Sequence, residues 1–287
     1  MANSISCVVD MTSSAPRVTH VIPGRASVTA VTSLGDDVFV VRYDSRDQVD
    51  VYDAVTFRLQ RRLPVPRLSE SYGLAACASN KCLYASNYLH DLVHRVDLSG
   101  SNAVTQWSVG SRPVGLTVNS DKNVLVVIRG ERMLQQFTTH GSQLQTIRLQ
   151  PDIESPRRAI QLSSGQFVIS HVGNAQHRVC LVNGKGAVVR RFGGTRGSDL
   201  TKMDMPAGLA VDEHGNILVA DRGNNRLLVL DPTLTSAHEM PVSVDGGLKS
   251  PLSLWYDKSR GRLYVGEGSG SRVIIIDNLK HFTATQV

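Results

Sequence analysis

Apolar residues run through this chain in short stretches, each bounded by turn-forming residues, as strands connected by tight turns require. The clearest stretch is Pro206–Asp231. It predicts a strand from Pro206 to Val211, a turn at Asp212–Gly215, a second strand at Ile217–Ala220, a loop at Asp221–Asn225 and a third strand at Arg226–Leu230. Weaker copies lie on both sides. Pro113–Val118 precedes Asn123–Ile128, Tyr72–Ala75 precedes Cys82–Ala85, and Pro156–Ile160 precedes Gly165–Ser170. Pro251–Trp255 precedes Arg262–Val265, and Thr29–Val31 precedes Val38–Val41. Aligned in this way, positions 29, 73, 115, 158, 208 and 253 are equivalent, at spacings of 44, 42, 43, 50 and 45 residues. The longest interval holds Gly193–Asp204, a glycine-rich surface loop.

Six units of three or four short strands at this period predict an all-β fold, a six-bladed β-propeller with four-stranded antiparallel blades. Val124–Ile128 and Val273–Ile276 are apolar without alternation. Strands do this when both faces are packed, as a blade is by its two neighbours. Gly73, Gly115, Gly208 and Ser253 are small where inner strands crowd the axis. Arg158 breaks that pattern: either it extends into the central channel, or a register shift puts Ala159 in the small slot. Val18–Ile22 is expected to close the ring by completing blade six, with Phe282–Val287 as the alternative. The chain divides into a lead, residues 1–17, and one propeller, residues 18–287.

The unit carrying Pro206, Gly208, Val211-Asp212, Gly215, Val219-Ala220-Asp221 and Asn224-Asn225-Arg226 resembles the NHL repeat, and the preceding Phe192–Gly197 resembles its usual lead-in. The resemblance is specific for blade five and weaker elsewhere. It implies a propeller like those that end the tripartite-motif NHL proteins, which act as interaction modules, several of them binding single-stranded RNA or RNA hairpins on one face. No Cys/His cluster has zinc-site spacing, so any ubiquitin-ligase activity would belong to a longer parent protein.

Charge sharpens this picture. The chain carries 24 arginines against 7 lysines, with a net charge of +6 and a pI near 9.3. Arginine grips phosphate and carboxylate through a flat fork of donors and stacks on rings. In an up-and-down blade, the loops entering strand one and joining strands two and three share one face. That face is expected to collect Arg42, Arg112, Arg129, Arg157, Arg158 and Arg222, with Tyr43, Asn87, Tyr88 and His171 beside them. The opposite face carries Asp36, Asp37, Asp53, Asp97, Asp121, Asp212, Glu213, Asp231 and Asp257. Arginine interleaved with exposed tyrosine suits single-stranded RNA, whose bases stack on rings while cations hold the backbone. An acidic protein partner is the alternative.

Other chemistries are poorly supported. The residues at the ends of the second strands are Arg42, Ser86, Ile128, His171, Asp221 and Glu267, of which only three could ligate an axial metal. The nine histidines are scattered, and neither a Gly-x-Ser-x-Gly elbow nor a phosphate-binding Gly-Lys-Ser/Thr loop occurs. The expectation is a non-catalytic binding module with no cofactor, no metal and no membrane partner. No run of 18 apolar residues occurs, and the first ten residues lack a signal-peptide pattern. Four cysteines do not make a disulfide scaffold. Cys77 and Cys82 face each other across a predicted hairpin, and free buried thiols in a reducing cytoplasm are expected.

Overall fold

The computed structural model describes residues 15–281. They form six four-stranded antiparallel sheets; in five the strands follow chain order from the axis outward, and in the sixth the outermost strand comes from the N-terminal segment. The inner strands are Val28–Leu34, Leu74–Cys77, Pro113–Val118, Pro156–Gln161, Pro206–Val211 and Pro251–Asp257. Each touches the inner strands of both neighbouring blades, and the sixth touches the first, so the ring is closed. The second strands are Asp37–Arg42, Cys82–Asn87, Val124–Ile128, Phe167–Val172, Ile217–Asp221 and Arg262–Glu267.

The core follows from this geometry. It consists of six apolar clusters, each lying between two adjacent blades. Every residue of Val124–Ile128 is buried, because one side-chain set packs on blade two and the other on blade four. The small residues make this approach possible. A Cβ on Gly73 would lie 2.7 Å from Val114 O, one on Gly115 2.6 Å from Arg157 O, and one on Gly208 2.8 Å from Leu254 N. Each glycine therefore lets its inner strand touch the backbone of the next.

Strand register settles the place of Arg158. It pairs with Ser170, and Ala159 pairs with Ile169, so no shift brings Ala159 into the small slot. Ser253 pairs with Gly266 in the same way in blade six. In blade one the corresponding pair is Ala30 and Val41, so the equivalent residue is Ala30 and not Thr29. Thr29 sits in a β-bulge, and a bulge recurs at this point in the inner strands of blades three to six.

The N-terminal segment closes the ring. Arg17–Ile22 pairs antiparallel with Val273–Asp277 as the outermost strand of blade six. Phe282–Val287 lies outside the described residues. Arg42 fastens the junction: its guanidinium donates to Ser271 O at 2.8 Å, Pro23 O at 3.3 Å and Ala26 O at 3.4 Å. From the opposite face Arg262 pairs with Asp277 and donates to Ala54 O at 2.7 Å, joining blade six to blade one. Cys77 and Cys82 are register partners at the hairpin turn, both buried and both free. Among the described residues no helix is long and apolar enough to cross a membrane.

Candidate functional site: an arginine- and tyrosine-lined axial mouth

Two positions of the repeat build the site. The first is the residue just before the small one at the start of each inner strand, which in five of the six blades sits in the bulge. Blade by blade it is Thr29, Tyr72, Val114, Arg157, Ala207 and Leu252, and all six line one axial cavity of about 520 Å³. The second is the residue that follows the last pair the second strand makes with the inner strand in blades one and three to six, and its equivalent in blade two. It is Tyr43, Tyr88, Arg129, Val172, Arg222 and Gly268, and all but Val172 line the same cavity. The two sets converge because both belong to loops on one face.

The lining is divided by chemistry. Blades one and two contribute Tyr43, Tyr72 and Tyr88, and blades three to five contribute Arg129, Arg157, Arg158 and Arg222. Tyr72 meets Tyr88 edge to face, with centroids 5.5 Å apart and planes at 80°. Burial, then the nearby Glu70 carboxylate, raises the Tyr72 phenol above its ordinary value. Tyr43 stands at the rim, 57% exposed.

The arginines have almost no countercharge. Among the described residues none of the four forms a salt bridge, whereas Arg226, Arg262 and Arg272 each hold a carboxylate. Among the described residues Glu70 is the one acid in the lining. Arg158 is 9% exposed, and its Nε is buried without a hydrogen-bond partner; the Nε of Arg157 is likewise unpartnered. Burial alone pushes Arg158 down to about 10. Arg157 is also pushed down to about 10, by burial first and then by the cations of Arg129 and Arg222. Both stay charged at pH 7. Unpaired buried guanidinium is costly, and an anion that accepted its donors would relieve that cost.

Four residues expected on this face do not join the cavity. Arg42 braces the ring closure. Asn87 is fully buried, donating to Arg67 O at 2.6 Å and contacting His94 Nε2 at 3.2 Å. His171 is also fully buried; it lies 3.5 Å from Cys180 Sγ, and desolvation pushes it down to about 4. Arg112 is exposed but outside the lining, its backbone amide bonded to Asp91. The reason is the alternation of side chains along a strand. The last residue that each second strand pairs with its inner strand, or its equivalent in blade two, points between blades, and the next residue points to the axis in every blade but the fourth. Arg42, Ile128, His171, Asp221 and Glu267 are these last ladder residues, and in blade two the corresponding residue is Asn87, one further along than Ser86. All six are buried.

Those buried polar residues anchor loops. Asp221 takes Asp204 N at 2.7 Å, Asn224 Nδ2 at 2.7 Å and Arg226 Nε at 2.8 Å. Glu267 holds Arg272 and Lys249 N in the equivalent place in blade six. Among the described residues no three His, Cys, Asp or Glu side chains are grouped as a metal site would need. On the opposite face the acids cap turns. Asp97 is pushed down to about 2 by the hydroxyls of Ser101 and Ser99. Arg260 pairs there with Asp36 and Asp257, offsetting part of the acidic charge.

Comparison with known proteins agrees with the fold. The sequence pattern of the NHL repeat matches residues 203–230, which lie in the fifth blade. No curated protein sequence matches the chain. Hydrazine synthase of Kuenenia stuttgartiensis superposes with a TM-score of 0.66 at 16% identity, over 93% of this chain and 99% of that one. A Bacteroides thetaiotaomicron protein of unknown function gives 0.69 at 15% identity, over 88% and 69%. Virginiamycin B lyase from Staphylococcus aureus gives 0.64 at 11% identity, over 89% and 82%. At such identities the likeness is one of fold, which hosts enzymes and binding modules alike.

Proposed function

We propose that this propeller is a non-catalytic binding module that takes single-stranded RNA at its axial mouth. One observation carries the reading: four arginines without a carboxylate partner face three tyrosines across a single cavity. Guanidinium forks bind phosphate oxygens bidentately, and unstacked bases gain about 1–3 kcal/mol each on aromatic rings. The pairing of these two surfaces matches a ligand that is both anionic and aromatic. Among the described residues no His or Cys lines the cavity and Glu70 is its one carboxylate; the neighbouring Ser69–His90 contact, 3.3 Å from Oγ to Nδ1, lies outside the lining. The lining is equipped to hold a ligand rather than to transform one.

A gel shift of the wild-type chain against a random single-stranded RNA pool tests this. Three or four phosphate contacts imply a log–log salt slope of about −2 to −3, so affinity should fall roughly 20- to 50-fold between about 50 and about 200 mM salt. Absence of retardation at low salt would remove the RNA reading. Capture of an acidic peptide without retention of RNA would move it to a protein partner.

A further inference from the structure

The cavity's internal order narrows the ligand further, resting on the RNA reading above. Arg158 is the deepest of the cations. Arg158 is nine-tenths buried, and the Nε atoms of both Arg157 and Arg158 are sealed from solvent without a partner. Of the rings, Tyr43 stands outermost, more than half exposed at the rim, while Tyr72 and Tyr88 are half-buried in the wall. A nucleotide flipped out from the middle of a strand enters base first and leaves its phosphates outside. This cavity is arranged for the opposite order.

Its shape points the same way. A groove that tracks a continuous backbone has two ends. This cavity is bounded by residues from all six blades around one axis. An internal segment would have to double back to place a phosphate inside it, whereas a strand terminus can simply enter. Charge agrees as well. Four cations face a single carboxylate, Glu70, in the lining. A backbone diester brings one negative charge, and a terminal monoester brings about 1.5 to 2 at pH 7. The volume of about 520 Å³ is that of a small-ligand pocket and not of an extended channel.

We infer that the axial cavity receives the end of a single strand, a terminal phosphomonoester entering first onto Arg157 and Arg158 while the terminal base packs against Tyr72 and Tyr88. Arg129 and Arg222 flank the phosphate from blades three and five. The same chemistry is offered by a 5′-phosphate and by a 3′-phosphate.

Fluorescence anisotropy with four internally labelled RNAs of one sequence separates the cases. One carries a 5′-phosphate, one a 3′-phosphate, one hydroxyls at both ends, and one is circular. One of the phosphorylated strands should bind at least about tenfold tighter than the hydroxyl-ended strand, a difference of about 1.4 kcal/mol. The circle should bind no better than the hydroxyl-ended strand. Arg158→Met should bring the preferred phosphorylated strand down to the level of the hydroxyl-ended strand. Should that variant fail to fold, the wild-type panel decides alone. Equal binding of all four RNAs overturns the end-reading role and leaves RNA binding standing. Binding of none overturns both.

Discussion

Reversing Arg129 and Arg222 together to glutamate should abolish retention of single-stranded RNA while moving the thermal midpoint by no more than about 2 °C. Both side chains are half-buried at the cavity wall and belong to no blade core. Among the described residues the Arg222 side chain bonds only to Ser250 Oγ, at 3.3 Å. Their removal therefore costs the fold little. For the ligand the loss is large. Hydrogen bonds to charged groups contribute about 1.5–3 kcal/mol each, and the new carboxylates add repulsion toward phosphate. A loss of at least ~3 kcal/mol corresponds to more than ~100-fold in affinity. The change also gives Arg157 nearby carboxylates in place of the cations that now push it down. Arg112→Glu is the matched control. It reverses an exposed arginine on the same face but outside the cavity, so binding should be nearly unchanged. Equal binding by the double variant and wild type would move the interface off this mouth.

Asp221→Ala should cost about 3–5 kcal/mol of stability, because it leaves the buried Arg226 with only the exposed Glu239 carboxylate, 3.7 Å away. Asp221 is fully buried and the Arg226 side chain is 8% exposed, with 2.8 Å between Oδ2 and Nε. Burial raises the Asp221 carboxyl, and donors from Asn224, Asp204 and Arg226 only partly offset it. Arg226 also donates to Ser198 O at 2.7 Å, Asp199 O at 3.0 Å and Lys202 O at 3.1 Å. The pair thus pins the 197–204 loop to blade five. A fall of several kcal/mol lowers the midpoint of a domain this size by about 10 °C or more, readable by calorimetry. Replacing both partners, Asp221→Leu with Arg226→Met, should recover part of the loss, since no lone buried charge remains. Wild-type stability in Asp221→Ala would contradict the anchoring role.

The blade count was legible because each blade repeats the same turn chemistry, so spacing alone located six units. The face was legible too, since chain direction reverses with every strand. The aim of individual side chains was not. Arg42 and Tyr43 are sequence neighbours, yet one braces the ring closure and the other stands at the cavity rim. One residue of register separates the two roles, and the same step separates Asn87 from Tyr88. A bulge moved the small position of blade one from Thr29 to Ala30. Tyr72 and Glu70 were overlooked because they precede the inner strand of blade two. The signal for Tyr72 was present, for it holds the place in its repeat that Arg157 holds in blade four. Whether Arg158 filled the small slot needed the ladder itself, since only the pairing with Ser170 distinguishes it from Ala159.

Photocrosslinking of RNA containing 4-thiouridine, followed by mass spectrometric identification of the modified residues, tests the axial mouth most directly. The adducts should fall on Tyr43, Tyr72 and Tyr88, the rings that line the cavity. Adducts confined to outer strands such as Leu59–Pro64 and Val188–Gly194, or to the acidic face around Asp97 and Asp231, would contradict it.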